Sequence, residues 1–588
     1  DLPQLEEWSL LVGIIHPHTH GSSDTGVSGV YDLQGNKVLD GTEFKWGSGT
    51  TTSRFRSYLF YCTDVNVRQY FHEPILEVID GNELPLQKIF DNGQAKDVVT
   101  HVEYDDYGRQ SKQYLPYMEY GNLGAYRGTA KTATTDHYNA FYAADINPSS
   151  PNPYSETQYE ESPLNRVLKQ AAPGHDWRMD GGHEIEFAYA SNDVSEVRYF
   201  EVTFSGGNTE APQLAQNGHY TEGELYKNIT YDENHDGSSS KLHSTEEFTD
   251  KNGRVVLKRT YAMVSSAETA HDTYYVYDDY GNLTYVIPPK VTTASVSSTE
   301  LNELCYQYRY DYRNRLVEKK IPGKGWEHIV YNKLDRPVMT QDANLGAKDQ
   351  WLFTKYDAFG RVAYTGLVSS SSDRSAHQTA ADGATDHYEE PWGTASAVES
   401  NTVSVFYKND AYPNSNIDKI YTINYYDGYV DTDGLSVPAT VLGQARATSV
   451  KGLPTVTRTR TLETDDWTTT VMGYDAKGRA IYVSSKNGYL NTTDVMETQL
   501  DFTGRAEQTV TTHTKGANAP IVTTDDFEND HMGRLTKQTQ TIGAHTETLV
   551  EHTYAELGQL VQKKVGGNLQ TVDYEYNVRG WLKRINNP

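Results

Sequence analysis

From Tyr356 the chain reads YDAFGRVAYTG: tyrosine, aspartate, two loose positions, glycine, arginine, then residues that alternate. Alternation is the period of a strand, whose side chains point to opposite faces in turn. Closely similar phrases stand at 104 (YDDYGRQSKQY), 277 (YDDYGNLTYVI), 310 (YDYRNRLVEKK) and 474 (YDAKGRAIYVS). Aspartate at the first position of a type I turn and glycine at the fourth are the favoured residues there. Glycine after such a turn also supplies the positive φ of a three-residue hairpin connection. Tyr356 is therefore expected to end one strand and Arg361 to begin the next. The glycine slot recurs at Gly108, Gly253, Gly281, Asn314, Asp335, Gly360, Gly478, Gly504, Gly533, Gly558 and Gly580. Asn314 and Asp335 belong to the small set of residues that tolerate the left-handed conformation, which supports the turn assignment.

Slots from 253 to 360 are spaced by 28, 33, 21 and 25 residues, and those from 478 to 580 by 26, 29, 25 and 22. Units of roughly 20 to 30 residues hold two strands and two turns. A lone hairpin is marginal in water, so such units must stack on their neighbours. A phrase written eleven times is architecture rather than an active site.

Two stretches break the strand period. Ser162 can cap a helix, Pro163 suits its first position, and Leu164, Val167, Leu168 and Ala171 share one face. With Pro173-Gly174 as a stop, they predict a helix near 163–172. Ser297 with Glu300 forms a capping box that predicts a second short helix, through Leu301 and Leu304 to Cys305. Residues 368–404, rich in Ser, Thr and Ala, read as a long surface loop inserted between hairpins. Residues 1–65 lack the repeat. They carry turn signals (Asp32 to Gly35, Asp40-Gly41) and strand-like runs (Leu10 to Ile15, Tyr58 to Cys62), and read as a small β region that caps the repeat array or leads into it.

Composition changes this picture little. A length of 588 residues suggests about four ordinary domains, but a repeat array grows by copying units. A hydrophobic fraction of 37% and a net charge of −28 taken alone point towards disorder, whereas 45 tyrosines, each a large ring with a polar tip, point to a folded β protein with a wet surface. The acidity disfavours nucleic acid and anionic membrane as partners. Two cysteines, Cys62 and Cys305, exclude a disulfide framework and fit an exported protein as well as a cytosolic one. No apolar run reaches the ~18 residues a membrane-spanning helix needs. No signal peptide opens the chain, and its first residues, DLPQLEEW, read as the inside of a longer polypeptide.

Candidate chemistry is sparse. His16, His18 and His20 alternate and would share one strand face, where they could converge on a metal, but no second ligand cluster accompanies them. An exposed polar strand end is the favoured reading. Asp232, Asn234 and Asp236, followed by Gly237, have the oxygen spacing of the first half of a calcium loop. The twelfth position is His243 rather than glutamate, so an Asx-rich hairpin turn is favoured over calcium; Asp431 and Asp433 are weaker still. No nucleophile elbow, phosphate loop or dinucleotide fingerprint is present.

The repeated YDxxGR resembles the YD repeats of bacterial RHS proteins, which are related to those of teneurins. YDYRNRLVEKKIPG (310–323), YDDYGNLTYVIPP (277–289) and ESPLNRVLKQAAPGHDW (161–177) are similar to one bacterial RHS subfamily almost word for word. The resemblance covers roughly 66–588. It divides the chain into a head segment at 66–225, with a degenerate first turn at Val78 to Gly81, and a YD-repeat shell at 226–588. It implies a mostly β fold: hairpins forming a long spiralling sheet, a hollow cocoon or part of one. It further implies a secreted or cell-surface bacterial protein whose shell, itself non-catalytic and without a cofactor unless calcium binds, encloses or presents a C-terminal toxin or effector polypeptide. That polypeptide is the expected partner, with secretion machinery or surface glycans as further ones. Self-cleaving shells of the family carry an aspartyl-protease-like motif that this sequence lacks, so no catalytic residue is carried over. The chain stops in mid-repeat at Tyr576 to Trp581, and a closing segment and cargo are expected to be encoded elsewhere. Two competing readings are a surface adhesin or carbohydrate-binding protein whose tyrosines stack on sugars, and a metal-dependent hydrolase using His16, His18 and His20.

Overall fold

The computed structural model describes residues 10–12, 15–16, 28–31, 37–40, 44–45 and 96–586, apart from 121–125, 147–150, 293–294, 400–401, 531 and 568. The chain forms two compact units, Asp1–Val102 with Tyr114–His137, and Glu103–Gln113 with Tyr138–Pro588. In the first, Leu10–Val12, Gly29–Tyr31 and Lys37–Asp40 make a three-stranded antiparallel sheet, and Lys96–Val99 pairs with Tyr117–Tyr120. The expected turn at Val78 to Gly81 and the run Tyr58 to Cys62 lie outside the described residues.

The second unit is one long antiparallel sheet. Its ladder begins at Tyr154–Tyr159, inside the stretch assigned to the head, and runs strand by strand to Leu582–Ile585. Ten of the eleven turns, all but that at Gly108, are accompanied by a register shift of one residue, as at Arg309/Tyr310, Lys355/Tyr356 and Gly473/Tyr474. Such a bulge is what a type I turn closed by a left-handed residue produces, and it adds local twist.

Two segments expected otherwise are corrected. Residues 163–172 are not helical: Val167–Ala171 is a strand paired on both sides, with Tyr154–Tyr159 and Ile185–Ser191. The apolar spacing that suited a helix face loses to this ladder. Glu160 fixes the preceding turn by accepting the Arg166 backbone N–H and its guanidinium, and Asn165 takes φ 54°. The stretch 368–404 is not a loop. Asp373 caps the helix Arg374–Gly383, and Pro391–Glu399 forms a hairpin with Val403–Tyr407. The helix Ser298–Glu303 carries the capping box of Ser297 and Glu300.

Three insertions leave the sheet where its ladder skips residues: between Ile185–Ser191 and Tyr226–Tyr231, between Val362–Ser369 and Ile417–Tyr426, and between the latter and Pro454–Arg460. They cover one face. Phe200 and Val202 of the first insertion pack against Phe248, Leu257, Tyr274 and Ile287 of the sheet. Ala381, Val405 and Tyr407 of the second pack on Trp351, Phe353, Tyr364, Ile423 and Val456. Alternation explains the sidedness: Trp351 and Phe353 are buried, whereas Leu352 between them is 39% exposed.

Candidate functional site: the repeated turn and the covered face

All eleven slots lie in the left-handed region, with φ from 58° at Asp335 and 60° at Asn314 to 98° at Gly504. The aspartate of the phrase builds the turn. Asp357 Oδ1 accepts the N–H groups of Phe359 and Arg361, both at 2.9 Å, and Oδ2 accepts Arg361 Nε at 2.6 Å. Asp311, Asp475 and Asp530 repeat this set with Arg315, Arg479 and Arg534. Asn332 and Asn577 accept the same two N–H groups without the ion pair.

The arginine and tyrosine join one unit to the next. The Arg315 guanidinium lies 4.6 Å from the centre of the Tyr331 ring, and the Tyr331 hydroxyl donates to the carbonyl of Leu316, the residue after that arginine, at 2.8 Å. Arg361 with Tyr426 and Val362, and Arg534 with Tyr554 and Leu535, do the same. Tyr310, Tyr356, Tyr474 and Tyr576 donate in the same way to Leu283, Pro337, Pro454 and Leu560. The phrase is thus a staple, in which Asp closes its own turn, Arg pairs with it, and the next Tyr covers that Arg and bonds behind it.

Burial opposes charge on Asp250, Asp475, Asp501 and Asp530, yet the turn N–H groups and the arginines hold these carboxyls below the usual range. A folded-state pKa below the unfolded one adds stability that is complete above the unfolded value, near 4, and is lost as pH falls through the folded value. Urea midpoints should therefore fall as pH drops below about 4. Asp475→Asn should keep the turn, as Asn332 and Asn577 do, and flatten that acid dependence; equal slopes for variant and wild type would show that the Asp475 carboxylate contributes nothing.

On the covered face, insertions are tied down by acids set against basic residues of the sheet. Glu196 meets Lys227 at 2.7 Å, Glu389 meets Lys355 at 2.8 Å, Glu399 meets Arg460 at 2.6 Å and Asp431 meets Arg458 at 2.6 Å. Glu210, at the tip of the first insertion's hairpin, pairs with Arg374 of the second. The two ends of the ladder are also joined. Asp145 accepts the Val578 N–H at 3.2 Å and Lys583 Nζ at 3.4 Å, and the Arg579 guanidinium lies 4.2 Å from the Trp177 ring and 3.8 Å from that of Trp581. The sequence carries no signal for these pairs, whose partners stand up to 438 residues apart.

The candidate chemical residues that are described do not assemble. Asp232 and Asp236 accept the backbone N–H groups of Asn234 and Ser238, as turn residues do, rather than converging. Among the described residues, no three His, Cys, Asp or Glu side chains gather in a metal-binding group. His16 lies in the short strand Ile15–His16, while His18, His20 and Cys62 fall outside the described residues. Cys305 is buried, and burial pushes its thiol up to about 11, against any nucleophilic role. Among the described residues no helix is long and apolar enough to cross a membrane.

A model for a domain of unknown function, DUF6443, matches residues 76–191. No curated protein matches the sequence. Among solved structures the chain is similar to the TcdB2-TccC3 crystal structure, with a TM-score of 0.50 and 14% identity over 83% of this chain and 18% of that one. It is also similar to the Photorhabdus luminescens Tc holotoxin pore, with a TM-score of 0.49 and 14% identity over 82% of this chain and 18% of that one. The chain thus spans about a fifth of the length of the structures it matches. At such identity the likeness is one of fold alone: a large, mostly antiparallel β-sheet.

Proposed function

We propose that the chain is a section of the shell of a larger secreted RHS-type protein, which encloses or presents a C-terminal toxin or effector polypeptide and performs no catalysis itself. The observation that carries this reading is the bareness of the sheet's last third. Between Thr492 and Val578 no described residue is buried, although the strands there reach ten residues. A sheet that hides neither face is a wall rather than half of a core. Its faces, rich in Thr, Gln and acidic residues, suit holding a chain without gripping it.

Limited proteolysis of the full-length secreted protein tests this. A polypeptide C-terminal to the repeat should resist protease until the shell is denatured. Digestion of that polypeptide at the rate of a free chain would overturn the reading. An open cleft of about 640 Å³, lined by Arg166, Tyr189, Tyr226, Asn228 and Lys251, favours surface glycan capture as a second reading, since Tyr226 is 64% exposed. Retention on immobilised glycans that Tyr226→Ala abolishes would support it, and no retention would remove it.

A further inference from the structure

Lys355, in the strand Gln350–Tyr356, has its side chain fully enclosed, as does Glu389. Its Nζ donates to Glu389 Oε1 at 2.8 Å, to Asn409 Oδ1 at 2.6 Å and to the Ala411 carbonyl at 2.8 Å. Glu389 precedes, and Asn409 follows, the inserted hairpin Pro391–Glu399 and Val403–Tyr407. Tyr364, on the neighbouring strand, donates its hydroxyl to the same Asn409 Oδ1 at 2.8 Å. The walls are aromatic, with Tyr364 in ring contact with both Phe353 and Tyr407. Glu389 is fixed in turn by the N–H groups of Asp410 and Ala411.

A buried amine, a buried carboxyl group and a half-buried carboxamide, held together, make a set that can react rather than merely pair. We propose that Lys355 and Asn409 condense into an intramolecular amide cross-link, with Glu389 shuttling protons and Tyr364 stabilising the oxyanion. This proposal is independent of the shell reading.

Burial disfavours the ammonium more than Glu389 restores it, and pulls the Lys355 amine down to about 8, so the neutral nucleophile is within reach at neutral pH. Glu389 takes one proton from Nζ. The freed lone pair attacks Asn409 Cγ, one bond beyond the oxygen that Nζ already touches. Charge develops on Oδ1, where the Tyr364 hydroxyl donates. Glu389 then passes its proton to Nδ2 and takes a second from Nζ. The Cγ–Nδ2 bond breaks, ammonia departs, and the new Nζ–Cγ amide keeps one N–H. Glu389 returns its remaining proton to the ammonia, so a lysine ammonium and an asparagine amide become an amide and an ammonium ion. Nothing is oxidised or reduced. Asn409 Nδ2 faces the Asn414 carbonyl at 3.5 Å, and Asn414 lines an open cavity of about 350 Å³ with Asp410 and Tyr412, an exit for ammonia. The link would staple the second insertion to the wall of the sheet.

Mass spectrometry of the purified full chain tests the proposal. The intact mass should be lower than the sequence mass by one ammonia. A tryptic digest should contain a branched peptide joining the segment of Lys355 to that of Asn409, with no cleavage after Lys355. A succinimide at Asn409 loses the same mass but leaves the two peptides separate, so the branched peptide decides. Glu389→Gln should restore the full mass with an unchanged circular dichroism spectrum. Asn409→Asp should still cross-link, losing water instead of ammonia. Separate peptides carrying unmodified Lys355 and Asn409 from folded wild-type protein would overturn the proposal, whether or not either variant folds.

Discussion

Gly366→Ala should be among the most destabilising single-atom changes in the second unit, lowering stability by about 3 kcal/mol or more. Gly366 sits in the strand Val362–Ser369, where the second insertion's core presses on the sheet. A Cβ added there would fall 2.1 Å from the Lys419 carbonyl oxygen and 2.7 Å from the Phe353 ring. The oxygen belongs to the adjoining strand's backbone and cannot swing aside, and Phe353 is fully buried, so the sheet itself must shift. Gly393→Ala is the control, since nothing lies within 4 Å of a Cβ there, and it should move stability by no more than about 0.5 kcal/mol. Urea midpoints of the two variants should differ widely. Equal midpoints would mean that the strands Val362–Ser369 and Ile417–Tyr426 are not packed as described.

Glu399→Ala should cost about 3 kcal/mol, because it removes the buried carboxylate partner of a buried cation. The Arg460 side chain is 3% exposed, and Glu399 Oε2 meets its Nη1 at 2.6 Å while also accepting the Ile420 N–H. Burial raises the Glu399 carboxyl, but Arg460 and the Ile420 N–H outweigh burial and hold it below its usual range, so it stays charged at neutral pH. Removing it leaves the guanidinium with backbone carbonyls and the exposed Asp465. Glu399→Gln keeps an acceptor and should lose clearly less. Unfolding midpoints decide the matter, and an alanine variant no worse than the glutamine one would show that the pair is not buried in solution.

The same residues show what a sequence can and cannot disclose. The register of the turns was legible because it obeys a local rule: only Gly, Asn or Asp fills the left-handed slot, and the Asp that builds the turn stands three positions earlier. The capping box at Ser297 was legible for the same reason. The helix expected at 163–172 failed because Val167 and Ala171 satisfy a helical period and a strand period alike, and the choice lay with strands on either side. The stretch 368–404 looked like a loop because its small polar residues carry little hydrophobic signal, yet Ala381 and Val405 suffice to seat a helix and a hairpin on a neighbouring core. The buried pairs gave no local sign. Lys355 and Glu389 are 34 residues apart, and Glu399 and Arg460 are 61 apart.

Native mass spectrometry of the full-length particle tests the containing role most directly. The account predicts a second polypeptide, C-terminal to the repeat, held in one-to-one ratio by the shell and released only when the sheet is unfolded. A particle that loses that polypeptide on simple dilution with its sheet intact, or that never holds one, would contradict it.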